Sequence, residues 1–258
     1  MKGSAVAALL NVENLCKEYL TLAGSSVQAL RNISLSINKG EFLTVVGPSG
    51  SGKSTLLQLL SGIEKPTSGS IALGAEQESP RIGFVFQANT IFPWRTVAEN
   101  LAYPLEVRGI GRKERREKAA QISSLVGLTP NVYLDKYPKE LSGGEARRVA
   151  IGMALAYEAT LLFMDEPTSQ LDFFTRLKMQ NIVQELWLEH RFTAIYVTHD
   201  IDEAILLGDR VAVMRAGMLQ SIIEISLARP RNKLTLADSR FIGYQERIID
   251  LCDDTTQS

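Results

Sequence analysis

The stretch Gly47-Pro48-Ser49-Gly50-Ser51-Gly52-Lys53-Ser54 constrains this chain more than any other. It fits the pattern GxxxxGK[ST], and its flanks supply the setting that pattern needs. An apolar run, Phe42-Leu43-Thr44-Val45-Val46, precedes it as a buried strand, and Thr55-Leu56-Leu57-Gln58-Leu59-Leu60 follows as a helix. The glycines let consecutive backbone N–H groups converge on one anion. The new helix points its positive end at the same place. Lys53 is expected to reach the β- and γ-phosphates of a nucleoside triphosphate, with Ser54 on Mg²⁺ and Thr55 beside them.

The rest of the chain keeps an α/β rhythm. Leu9 to Tyr19 and Ile33 to Ile37 alternate partly with period two and read as strands. Further strands are expected at Ser70–Leu73, Ile82–Phe86, Leu161–Met164, Ala194–Thr198 and Val211–Met214, then at Leu219–Ile225 after a turn at Ala216-Gly217. Helices are expected over Thr175–Leu188 and Ile201–Leu207. Strands alternating with helices imply a largely parallel sheet, with sites at the carboxyl ends of its strands. From Pro93 to Leu141 the pattern is helical, and Gly127 reads as a C-cap after the charged run Arg112 to Lys118. Glutamates interrupt that run, so it reads as a solvated face. The last ~25 residues are polar and read as a short peripheral tail.

Two strands end in chemistry. Leu161-Leu162-Phe163-Met164 runs into Asp165-Glu166, and Ile195-Tyr196-Val197-Thr198 runs into His199-Asp200. Adjacent acids at the tip of a buried strand suit a metal-bound phosphate and an attacking water better than packing. A second glycine pair, Leu141-Ser142-Gly143-Gly144-Glu145, opens a helix running to Tyr157. It is another place where backbone N–H groups can meet phosphate. Two such sites for one nucleotide make sense if two chains face each other head to tail.

Taken together, these motifs resemble those of the ATP-binding-cassette ATPases, from about residue 9 to about residue 230. The resemblance implies an α/β fold: a P-loop NTPase core with a mostly parallel sheet, an N-terminal antiparallel β subdomain and an inserted α-helical subdomain at about 93–155. It places residues 1–230 in the ATPase domain and 231–258 in the tail. It also implies an ATP hydrolase using Mg²⁺. Gly47 to Thr55 would hold the phosphates and Tyr19 the adenine. Gln87 would sense the γ-phosphate and Mg²⁺, and Asp165 and Ser54 would hold the metal. Glu166 would orient water, and His199 would contact the γ-phosphate. Ser142, Gly143, Gly144 and Glu145 would close over the ATP of a second copy. Three departures stand out against the family pattern: Glu145 replaces the usual Gln or Met, Gln170 replaces the usual Ala, and Gly152-Met153-Ala154-Leu155 stands where Ala-Arg-Ala-Leu is common. A carboxylate at Glu145 suits a helix N-terminus but faces a polyanion, so an active though slow ATPase is expected.

Phe92-Pro93-Trp94-Arg95-Thr96-Val97-Ala98-Glu99-Asn100-Leu101 is similar to the matching segment of importer ATPases of the nitrate/sulfonate/taurine group. That likeness implies an integral membrane permease and an extracytoplasmic solute-binding protein as partners. A homodimer or a heterodimer of cassettes is expected, on the cytoplasmic face of the membrane. The alternative is a soluble cassette ATPase in a non-transport assembly, of iron–sulfur or DNA-repair type. The formal net charge of −1 gives no general attraction to nucleic acid. Cys16 and Cys252 have no metal-ligand spacing and read as free thiols. No apolar run approaches the ~20 residues that cross a bilayer.

Overall fold

The computed structural model describes residues 8–20, 24–74, 79–88, 90–169 and 171–253. In chain order the elements are β1 (Ala8–Leu20), β2 (Ser26–Asn38), β3 (Phe42–Val46), α1 (Lys53–Leu60), β4 (Ser68–Leu73), β5 (Ile82–Val85), α2 (Val97–Val107), α3 (Arg112–Leu125) and α4 (Pro130–Tyr133). They continue with α5 (Gly143–Ala156), β6 (Leu161–Asp165), α6 (Phe173–His190), β7 (Thr193–Thr198), α7 (Ile201–Leu207), β8 (Arg210–Arg215), β9 (Met218–Glu224) and α8 (Ser239–Cys252). The chain forms two compact units, Met1–Ser79 with Phe192–Ser258, and Pro80–Arg191.

In the first unit β1 pairs antiparallel with both β2 and β4. Alternation, shifted in register around Leu15 and Ile33, buries Leu10, Val12 and Leu15 on β1, and Leu30, Ile33, Leu35 and Ile37 on β2. β3 lies between β7 and β8, parallel to both, and β9 closes that side antiparallel to β8. Every residue of β3 and β7 is buried, as expected of parallel strands covered on both faces. In the second unit β5 and β6 pair in parallel. Thr96 starts α2 with a reciprocal capping box to Glu99, and Gly127, at φ +70°, ends α3 in the left-handed conformation that favours glycine.

The C-terminal residues do more than trail off as a polar tail. α8 buries Phe241 and Ile248 in a cluster with Val211, Val213, Ile205 and Ile223, and Tyr244 and Leu251 pack against it. These positions recur at helical spacing inside a segment whose average composition is polar, so composition conceals the buried face. Arg231, 3% exposed, donates to the carbonyls of Ile205, Gly208, Ile225 and Leu227. Burial pushes its guanidinium down to about 10. Phe241→Ala is expected to cost about 3–5 kcal/mol of stability, read as a lowered urea midpoint with an unchanged slope. Among the described residues no helix is long and apolar enough to cross a membrane.

Candidate nucleotide site

β3 ends at Val46, which pairs with Thr198 of β7 and Val213 of β8. The chain therefore leaves the neighbouring parallel strands β3 and β7 side by side, at Gly47 and His199, next to Met214 of β8. Backbone packs tightly there: a Cβ on Gly47 would lie 2.1 Å from the Met214 carbonyl oxygen. Gly50 and Gly52 adopt φ +78° and +95°, values that L side chains rarely reach. Gly52 is the N-cap of α1 and carries no side chain to cap its first turn. Lys53 folds beneath the loop and donates to the carbonyls of Gly47 (2.8 Å) and Pro48 (2.9 Å). Gly217 N–H braces the loop through the Ser51 carbonyl at 3.2 Å. Among the described residues the Ser51 hydroxyl is buried with no protein partner. Converging N–H groups, a lysine and an orphaned hydroxyl together fit a polyphosphate.

His199 stands exposed just beyond β7, on the edge where the loop begins. Tyr19 is half-buried at the end of β1, and its hydroxyl donates to Glu64 at 2.5 Å. Lys17 bonds the same carboxylate at 2.8 Å and sits 4.9 Å from the Tyr19 ring centre. Burial and the Glu64 carboxylate raise the Tyr19 pKa, so its phenol stays protonated.

In the second unit Gln87 lies just past β5, and Asp165 ends β6, almost fully buried. Glu166 turns the chain at φ +43°, a strained value for a residue with a Cβ. The turn is held by Ser169, whose N–H and hydroxyl both donate to the Glu166 carbonyl, at 3.2 and 3.0 Å. Gln87 Nε2 approaches Glu166 Oε2 at 3.4 Å, so the two side chains meet. Gln170 lies outside the described residues. Asp172 beyond it caps α6 through the N–H groups of Phe174 and Thr175, both at 3.1 Å.

Ser142 is the N-cap of α5. Its hydroxyl accepts from Glu145 N–H at 3.3 Å, and the Glu145 carboxylate accepts from Ser142 N–H at 2.7 Å. The second Glu145 oxygen accepts from the Tyr133 hydroxyl at 2.7 Å. Burial alone would raise the Glu145 pKa. The bonds from Ser142 and Tyr133, with the nearby Arg148 charge, outweigh it and hold the carboxyl below the usual glutamate range. The charge at Glu145 is thus turned back onto its own helix rather than left free beside an anion. Gly143 has open space around it, whereas a Cβ on Gly144 would lie 2.4 Å from Thr175 Cγ2. Gly144 is therefore required by the contact with α6.

Two residues stood out only in three dimensions. Arg147, buried on α5, donates to the carbonyls of Phe86 and Gln87 and, at 3.4 Å, of Ala88. It ties the helix that Ser142 opens to the loop that carries Gln87. A cation inside an apolar helix stretch was its one available signal. Glu203, buried four positions after His199, was hidden in an otherwise ordinary helix start.

Residues 30–169 match the family model described as ABC transporter. An uncharacterized ABC transporter ATP-binding protein of Methanocaldococcus jannaschii is 42% identical, with 98% of this chain and 94% of that protein aligned. An aliphatic sulfonates import ATP-binding protein of Mesorhizobium japonicum is 43% identical over 94% of this chain and 88% of its own length. Among solved structures, a dimeric ATP-binding cassette in a post-hydrolysis state, bound to ADP and Pi, superposes with a TM-score of 0.75. It is 31% identical, and the match spans 85% of this chain and all of that one. The fold is accordingly that of the cassette ATPases, α/β with an antiparallel β portion. With its phosphate loop, acid-tipped strand and signature segment, this chain belongs to the ABC transporter family and is one of its nucleotide-binding, ATP-hydrolysing cassettes.

Proposed function

We propose that the chain is the ATP-hydrolysing subunit of an importer for a small organic or inorganic anion of the sulfonate, taurine or nitrate kind. The observation that carries this reading is the likeness to import ATP-binding proteins for aliphatic sulfonates along most of both chains. Those relatives favour it over a soluble cassette ATPase in an iron–sulfur or repair assembly. Residues 1–230, with a helical insertion at about 93–155, form the ATPase in this reading, and 231–258 its extension.

Each residue takes one role. The loop Gly47 to Thr55 binds the phosphates, with Lys53 exchanging its two loop carbonyls for phosphate oxygens. Ser54, Gln87 and Asp165 would hold Mg²⁺, whose charge would offset that of the β- and γ-phosphates. Glu166 accepts a hydrogen bond from the attacking water and aligns it with the γ-phosphorus, and Gln87 steadies that carboxylate. His199 donates to a γ-phosphate oxygen as negative charge shifts in the transition state. Tyr19 lies under the adenine. Ser142, Gly143 and Gly144 close over the ATP of a second copy, with Glu145 capping their helix. ATP then favours the closed dimer and its hydrolysis the open one.

The permease is expected to dock beside Trp94. Asn100, fully buried, bonds to Phe92, Arg95 and Thr96 and so pins the loop between them. That leaves Trp94 71% exposed at a cleft of about 650 Å³ lined by Arg95, Glu106, Arg112, Arg115 and Arg116. An exposed tryptophan on a rigid loop is a natural interface anchor. Trp94→Ala is expected to weaken recovery of the complex with a co-expressed sulfonate-type permease by about 10-fold or more. The ATPase rate of the isolated chain should stay unchanged. Equal recovery with both proteins would remove this surface from the reading.

A further inference from the structure

Glu203 is 1% exposed. A carboxylate so far from water is costly unless donors match its oxygens. The Tyr196 hydroxyl donates to Oε1 at 2.8 Å, and the Thr198 hydroxyl donates to Oε2 at 2.6 Å. Two backbone bonds complete the arrangement. Asp200 N–H donates to Thr198 Oγ1 at 3.0 Å, and Glu203 N–H donates to Asp200 Oδ1 at 3.1 Å. Thr198, Glu203 and Asp200 therefore form a closed ring of hydrogen bonds, and His199 is the residue held between Thr198 and Asp200.

The ring also reaches the phosphate loop. Thr198 pairs with Val46, the last strand residue before Gly47. The Tyr196 ring lies 6.0 Å from Phe42 at the start of that same strand. An apolar side chain at 203 would fill the volume. It would also leave two buried hydroxyls without their acceptor and free the backbone on both sides of His199. Packing by itself does not call for a carboxylate here, whereas holding a short turn in one conformation does.

We propose that Glu203 is a positioning residue for ATP hydrolysis, fixing the His199 backbone through Thr198 and Asp200 before nucleotide arrives. The inference rests on the reading of His199 as the γ-phosphate contact. A preset turn lets the imidazole meet the γ-phosphate without an ordering cost, so the benefit appears in the chemical step rather than in ground-state binding. Glutamine at 203 keeps the shape but puts an amide donor against one of the two hydroxyls. That hydroxyl must then turn its proton away, and the charge-assisted bond that tied it to position 203 is lost.

The test is a kinetic double-mutant cycle on the full chain with Mg-ATP. Glu203→Gln and, separately, Thr198→Val should lower kcat by about 10- to 100-fold. KM for ATP should stay within about twofold, with fluorescent-nucleotide binding preserved. Combined with His199→Ala, each should add nothing to the loss that His199→Ala already causes. Thr198→Val breaks the same ring from its other side, so agreement between the two variants guards against a folding defect in one. Losses that multiply with His199→Ala would assign Glu203 to general stability and overturn the proposal, as would an unchanged kcat in Glu203→Gln. Full activity in His199→Ala would remove the reading of His199, and the inference with it. A large loss in His199→Ala beside full activity in Glu203→Gln would sink the inference alone.

Discussion

Glu166→Gln lowers steady-state ATP turnover by about 10²- to 10³-fold, the range for losing one preorganised group at a phosphoryl transfer centre. Binding of ATP survives, because the loop, Lys53 and Ser54 are untouched. Light scattering should then show a dimer with Mg-ATP and a monomer without it. The structure gives reasons to expect so clean an effect. Glu166 is held at φ +43° by two bonds from Ser169 and is approached by Gln87, so the amide replaces the carboxylate in a prearranged place. The same experiment addresses the signature segment. Glu145 is engaged by Ser142 and Tyr133, and its charge should not prevent closure over a second copy's nucleotide. A variant that binds ATP yet stays monomeric would show that the Glu145 helix start does not close over nucleotide in the isolated chain. Persistent turnover in Glu166→Gln would remove Glu166 from the water-orienting role.

Lys53→Ala abolishes turnover by a different route. Its ammonium already lies under the loop, bonded to two carbonyls, so removing it deprives the phosphates of a charged donor and the loop of its internal brace. A charge-assisted hydrogen bond contributes about 1.5–3 kcal/mol, which corresponds to roughly 10- to 150-fold in affinity. Nucleotide titration should therefore show ATP affinity reduced by about that factor in Lys53→Ala and little changed in Glu166→Gln. Equal affinities in the two variants would mean that Lys53 does not reach the phosphates.

The contrast between those variants follows from where their information resides. The phosphate loop is legible in the chain because its requirements are local. Gly50 and Gly52 take left-handed φ values, Lys53 opens α1, and a continuous apolar run supplies the strand before it. The acid pair at Asp165-Glu166 and the histidine after β7 were legible for the same reason: each ends an apolar run whose burial is fixed by its own residues. The helix opened by Ser142 was readable too, since its cap lies within three positions of Glu145.

What escaped the sequence depends on which surfaces meet. Composition made the last segment look like a polar tail, yet Phe241 and Ile248 are buried because α7, β8 and β9 leave a face that α8 covers. Tyr133 and Glu145 are twelve positions apart, and no local rule couples a phenol to that carboxylate. Arg147 reads as one more arginine until its carbonyl partners, some sixty residues earlier, lie in front of it. Glu203 looks like an ordinary residue in the first turn of a helix, although its side chain is the acceptor that ties together both neighbours of His199. By itself the sequence determined the α/β plan and the phosphate-loop pattern, because backbone geometry and short-range periodicity encode them. Only the tertiary structure decided how the site residues are held, because a buried charge acquires its partners from elements far away along the chain.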